Sequence, residues 1–166
     1  MAASAVASIR PAALRNNLDR VRAAAPGCPV LAVIKADAYG HGMADVARIL
    51  DAADAYAVAR FTEAVALRRC TDKNILVMSE SLGHDEAGIA RDHKLQVVVH
   101  DVAQIDLLAT LGAGNSLSVW LKIDSGMGRL GIAPADTPNA VARLRECNCV
   151  AGDPVLMTHF ACADER

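Results

Sequence analysis

Short runs of consecutive aliphatic residues recur along the chain at 30–35, 55–59, 75–78, 96–99, 118–123 and 155–159, and each reads as a strand. Between them the apolar positions change to a helical period. The stretch 11–24 places Leu14, Leu18 and Val21 on one face and stops at Pro26-Gly27. The stretch 101–111 opens with Asp101 and Gln104, an N-cap with a reciprocating residue three positions on. It turns Val102, Ile105, Leu108 and Leu111 inward and ends at Gly112. A further helix starts at Thr137-Pro138, where proline's missing N–H costs nothing, and carries Val141 and Leu144 on its inner face.

Strands that are apolar throughout, rather than alternately, belong to a parallel sheet covered on both sides. A strand-plus-helix unit about every 20–25 residues builds either a β/α barrel or a doubly wound sheet. A closed eight-stranded barrel takes about 250 residues. Six strands in 166 residues fall short of closure, so the sheet is either open or the front portion of a barrel. No Gly/Ser/Pro-rich linker, low-complexity tract or charge block divides the chain, which reads as one domain.

Composition narrows the function classes. With 53% hydrophobic residues the chain can bury a core, which excludes wholesale disorder. A net charge of -2, from 17 Lys+Arg against 19 Asp+Glu, argues against nucleic-acid or membrane-surface binding. The apolar runs are far shorter than the roughly 20 residues of a membrane-spanning helix. The opening MAASAVASIRP lacks the pattern of a secretory leader, so a cytoplasmic location is expected. Five cysteines, with no CxxC spacing, suggest reduced and mostly packed thiols rather than a disulfide framework or a zinc cage; no metal site is expected.

Chemistry concentrates at three strand ends. In LAVIKADAYGHG, 31–42, an apolar strand runs directly into Lys35, followed by a small-residue loop holding Tyr39. A lysine in such a place is costly unless it has a partner or a task. Desolvation favours its neutral amine, the form that attacks carbonyl carbon. In VWLKIDSGMGRLG, 119–131, alternation sets Lys122 on the same side as Trp120 and Asp124, facing the sheet interior. The Gly126–Gly128 turn then presents Met127 and Arg129, whose planar fork suits an anionic or phenolic oxygen. In LMTHFACADE, 156–165, His159 follows a strand, and with Cys162 alone it makes too small a set for a metal.

Taken together, AVIKADAYGHG, WLKIDSGMGRLG and MTHFACADE resemble the alanine racemases, fold-type III pyridoxal-phosphate enzymes, in order and spacing over essentially the whole chain. The resemblance implies an α/β fold: an incomplete (β/α)8 TIM-type barrel with about six of eight parallel strands. Residues 1–166 would be the N-terminal part of the cofactor-binding barrel, with the C-terminal β-domain absent. Lys35 is similar to the lysine that holds pyridoxal 5'-phosphate as an internal aldimine and then acts as a base on one face of alanine. Tyr39 is similar to the tyrosine that reaches the cofactor phosphate. Arg129 resembles the arginine at the phenolic oxygen and the substrate carboxylate, and His159 the ring-side histidine. Lys122 matches a position N-carboxylated in many members. Gly128 departs from the pattern, since many members carry His there.

The implied reaction is interconversion of L- and D-alanine by two-base proton transfer, which supplies D-alanine for cell-wall peptidoglycan. The second base in the family is a tyrosine of the partner subunit in a homodimer. Alone, this chain is therefore expected to racemise alanine weakly or not at all. Two alternatives share the same barrel: a non-catalytic pyridoxal-phosphate-binding protein and a broad-specificity amino-acid racemase.

Overall fold

The computed structural model describes residues 6–114 and 116–163. The leader reading at residues 1–5, and Asp164 and Glu165 of the third motif, lie outside the described residues. Strands β1 (Leu31–Val33), β2 (Ala55–Val58), β3 (Asn74–Val77), β4 (Gln96–Val99), β5 (Ser118–Ile123) and β6 (Val155–Thr158) form one sheet. Every neighbouring pair is parallel and the order is strictly β1-β2-β3-β4-β5-β6. A doubly wound sheet would reverse its order at a switch point. None occurs among these strands, so the architecture is that of an incomplete β/α barrel.

The helices are α1 (Pro11–Ala24), α2 (Lys35–Gly40), α3 (Met43–Ile49), α4 (Phe61–Arg68), α5 (His84–Asp92), α6 (Val102–Thr110) and α7 (Thr137–Glu146). Alternation along the strands sorts the side chains into two layers. Tyr56, Val58, Ile75, Val77, Val97, Val99, Val119 and Leu121 pack with Leu67, Ala90, Leu108 and Leu144 of the helices. The other face carries a smaller cluster of Ala57, Leu76 and Val98, with Leu31, Met78, Trp120 and Met157 against it. This second face is the barrel interior. The Trp120 indole N–H donates to the Gln96 side-chain oxygen at 3.0 Å, joining β5 to β4 on that face.

Three expectations need correction. The first strand ends at Val33, not at 35: Ile34 leaves the extended region with φ -126° and ψ 31°, and Lys35 opens α2. In α6 the inward set is Gln104, Ile105 and Leu108, while Val102 is 45% exposed. Asp101 caps this helix by accepting the Ala103 N–H, and Gln104 turns back to accept the N–H groups of His100 and Asp101. That reciprocal cap lets a polar residue take the inner position and leaves Val102 on the helix's open first turn. Finally, only Cys147 and Cys149 are packed, whereas Cys28, Cys70 and Cys162 are exposed. The Cys149 thiol donates to the Leu108 carbonyl at 3.1 Å, and burial raises its pKa.

Candidate functional site

All six strands point the same way, so the segments that follow them share one rim, where β/α barrels gather their chemistry. Lys35 leaves β1, Lys122 lies at the end of β5 with Arg129 just beyond, and His159 leaves β6.

The segment after β1 is unusual. Ala36, Asp37, Ala38 and Tyr39 all have φ between 50° and 54° and ψ between 38° and 52°, making α2 a left-handed turn. Such a run costs roughly 1–2 kcal/mol per residue with an L side chain, so outside contacts must hold it. Three do so. The Ala36 N–H donates to Glu63 Oε1 at 2.6 Å, the Met43 N–H donates to Asp37 Oδ1 at 2.7 Å, and Ala38 is buried. Gly40 and Gly42, also at positive φ, continue the turn into α3. Two consequences differ from the sequence expectation. Lys35 is half-buried rather than deep in a strand, because the chain turns out of the sheet before reaching it. Tyr39 projects from the turn and is 61% exposed.

Lys122 is the buried cation of the rim, at 9% exposure. It lies in register with Met157 of β6 and on the interior side with Trp120, as alternation requires. Burial lowers its pKa, the Arg129 guanidinium lowers it further, and Asp124 works in the opposite direction. It makes no ion pair among the described residues. Asp124 is committed elsewhere: Oδ1 accepts the Gly126 and Gly128 N–H groups, each at 3.0 Å, and these bonds, the Gly128 one first, hold its carboxyl below the usual range. The same two bonds shape the loop that carries Arg129. Its far end is fastened where Ile132 N–H donates to the Lys122 carbonyl at 2.8 Å and Asp124 N–H to the Ile132 carbonyl at 2.9 Å.

His159 is exposed and lines a cleft with Ser125, Met127, Phe160 and Cys162, so the third motif faces the second. A contact between the Ser125 and Thr158 hydroxyls at 2.6 Å joins the two loops, and Thr158 also donates to the Ile123 carbonyl at 2.9 Å. The structure thus brings Lys122, Arg129 and His159 to one side of the rim. Lys35 and Tyr39 stand at the opposite edge of the sheet, across β2, β3 and β4. No group of three or more His, Cys, Asp or Glu side chains that could hold a metal ion occurs among the described residues.

Two residues escaped the sequence reading. His100 follows β4 beside Lys122; burial is the main cause of its lowered pKa, and Lys122 adds to the effect while Asp101 opposes it. Carrying the alternation Gln96, Val98 one step further would have found it. Glu63 is the other. No local signal points to it beyond its place as the third residue of α4.

Comparison with known proteins fits this geometry. Residues 9–166 match the family described as alanine racemase, N-terminal domain. The alanine racemase of Nitrosococcus oceani is 48% identical over 160 residues, covering 96% of this chain and 45% of the relative. The biosynthetic alanine racemase of Pseudomonas aeruginosa superposes with a TM-score of 0.84 at 40% identity, covering 93% of this chain and 44% of that one. The Acinetobacter baumannii alanine racemase gives a TM-score of 0.84 at 31% identity, over 95% of this chain and 47% of its own. The chain spans about half the length of the curated relatives it matches. With the barrel order, the rim and the match over residues 9–166 agreeing, the chain belongs to the alanine racemase N-terminal domain family.

Proposed function

We propose that this chain is the cofactor-bearing barrel portion of an alanine racemase, an isomerase that interconverts L- and D-alanine through pyridoxal 5'-phosphate. The observation that carries the reading is the charge of the rim. Lys35 and Arg129 offer an amine and a guanidinium on the rim of a sheet whose interior face carries Ala57, Leu76 and Val98. Of the nearby carboxylates, Asp124 is occupied by backbone N–H groups. A planar aromatic ring bearing phenolate and phosphate fits that donor set, so the residues present fit the cofactor.

When bound, pyridoxal phosphate supplies an electron-accepting ring that makes the Cα proton of an attached amino acid acidic. The chain's own residues then divide the work. Lys35 would hold the cofactor through Nζ, and that nitrogen would serve as the base on one face of the substrate Cα. Tyr39, exposed at the rim, would hold the phosphate through its hydroxyl. Arg129 would offer its planar fork to the phenolic oxygen and to the substrate carboxylate. His159 would stand at the side of the ring. The neutral Lys122 amine would add carbon dioxide at its nitrogen and release a proton to solvent, leaving a carbamate anion toward Arg129 in place of a buried cation; a mass increase of one CO2 in bicarbonate, lost in Lys122→Arg, tests this.

The base for the opposite face comes from outside this chain. Its two tyrosines are Tyr39, assigned to the phosphate, and Tyr56, whose hydroxyl is buried and donates to the Ala47 carbonyl at 2.7 Å. A tyrosine from a partner subunit of a homodimer fills that role in this reading, and racemisation by the chain alone is slow. D-alanine for peptidoglycan is the product the reading assigns, and a soluble cytoplasmic setting suits it; no helix among the described residues is long and apolar enough to cross a membrane.

The decisive experiment reduces the protein with borohydride in the presence of pyridoxal phosphate and maps the modified residue. The reading expects Lys35, and expects the label to vanish in Lys35→Ala. Labelling at another amine, or at none, would overturn it. Following the chirality of added alanine then separates a racemase from a protein that only carries the cofactor.

A further inference from the structure

We infer that Glu63 is the positioning residue that aims Lys35 at the barrel interior; the inference rests on the cofactor reading above. Glu63 lies on α4, and its carboxylate reaches 27 residues back to the start of α2. Oε1 accepts the N–H of Ala36, the residue directly after Lys35, at 2.6 Å. Oε2 accepts the N–H groups of Ala59 at 2.9 Å and Arg60 at 3.1 Å, the two residues that lead into α4. One side chain therefore fastens the segment after β1 to the segment after β2. It makes no ion pair among the described residues, so its charge is spent on three backbone donors.

The geometry gives this clamp a task beyond capping α4. The left-handed run begins at Ala36 itself, so the Ala36 N–H direction sets where the turn starts and how Lys35 leaves β1. Four strained residues in succession keep their conformation only when the surroundings determine them more than once. Asp37 holds the far end of the turn through the Met43 N–H. Glu63 is the side chain that holds its near end, the end carrying the amine. Behind it stands a second strut: the Phe61 N–H at the head of α4 donates to Glu80 Oε2 at 2.6 Å, tying α4 in turn to the segment after β3. The backbone that carries Lys35 is thus tied by a chain of backbone-to-carboxylate bonds running across three consecutive rim segments.

The test compares Glu63→Gln and Glu63→Ala with Asp54→Asn. Asp54 accepts the Val30 N–H at 2.7 Å near the opposite end of β1, so its loss weakens the same strand pair away from the rim. Three quantities are read: pyridoxal-phosphate affinity from visible absorbance, the fraction of protein reductively labelled at Lys35, and amide exchange of Ala36–Tyr39 in cofactor-free protein. The Glu63 variants should bind the cofactor on the order of tenfold more weakly, as a misaimed group would. They should also label poorly at Lys35 and exchange faster at Ala36–Tyr39. Asp54→Asn should lower thermal stability and leave affinity and labelling at parent values. Glu63→Ala with parent affinity, labelling and exchange would overturn the inference alone. A Glu63 loss matched by Asp54→Asn at equal stability would overturn it too, reducing the effect to general loosening. A parent protein that takes no label at Lys35 sinks the cofactor reading and this inference with it. If neither Glu63 variant folds, Glu80→Ala, which removes the acceptor of the Phe61 N–H, must show the same pattern in weaker form, and parent values there would overturn the inference.

Discussion

Gly131 lies against the backbone of Asp124 so closely that a Cβ built on it would meet the Asp124 nitrogen at 2.5 Å and the Ile123 carbonyl carbon at 2.9 Å. Its φ of 134° is in a region that L side chains rarely adopt. The contact closes the loop that carries Arg129, because Ile132 next to it bonds to both Lys122 and Asp124. Gly131→Ala should therefore cost at least about 2 kcal/mol, measured as the shift in urea midpoint. It should also weaken the match between Arg129 and its anion, seen as weaker pyridoxal-phosphate binding. A variant as stable as the parent would mean that the loop repacks freely.

His100 should titrate below the usual 6.5, because burial, aided by Lys122, disfavours its cation. The unfolded chain then binds more protons than the folded one between the folded value and 6.5. Stability from this group is complete above 6.5 and is lost as pH falls through that window. Imidazole NMR signals followed against pH give the midpoint directly. In bicarbonate-free buffer, where Lys122 is an amine, Lys122→Met should move the midpoint upward, since one repelling charge is gone; a midpoint that does not move would show that the two groups are insulated.

Lys122 itself should depress stability at neutral pH. Its folded pKa is lowered from the usual 10.5, so the unfolded chain holds the extra proton between the folded value and 10.5. Stability from this residue accordingly rises as pH climbs through that window. Lys122→Met should gain about 1 kcal/mol at pH 7 in bicarbonate-free buffer, and the gain should shrink as pH approaches 10.5. Denaturant midpoints of the two proteins at several pH values measure the closing gap.

Tyr56 offers a control away from the chemistry. It is fully buried, and its hydroxyl donates to the Ala47 carbonyl at 2.7 Å and the Leu50 carbonyl at 3.2 Å, fastening the end of α3 to the sheet. Tyr56→Phe removes the hydroxyl donor to Ala47, while the Leu50 carbonyl keeps the Ala53 N–H at 2.8 Å, and should cost about 1 kcal/mol. Labelling at Lys35 should be unchanged. A changed label would place Tyr56 in the site after all.

What could be read from residues alone follows physical locality. The strand at 96–99 and the helix at 11–24 are bounded by their own punctuation and came out at the expected positions. The parallel sheet followed from strands apolar on both faces, and its strict order settled between barrel and doubly wound sheet. Lys122 could be placed on the interior by alternation, which holds through β5. The left-handed turn could not be foreseen. Ala-Asp-Ala-Tyr has no preference for that hand, and what holds it comes partly from Glu63, far along the chain. The half-burial of Lys35 was missed for the same reason. His100 was hidden differently, by a strand boundary one residue short of it.

The strictly sequential strand order has a consequence for how the molecule assembles. Each strand hydrogen-bonds to the one made just before it, and α4, α5, α6 and α7 each cross between such neighbours. Among these six described strands nothing has to be threaded, and none waits for a distant one in the series. Such a sheet can be laid down in the order of translation, each β/α unit docking on the previous edge as it leaves the ribosome.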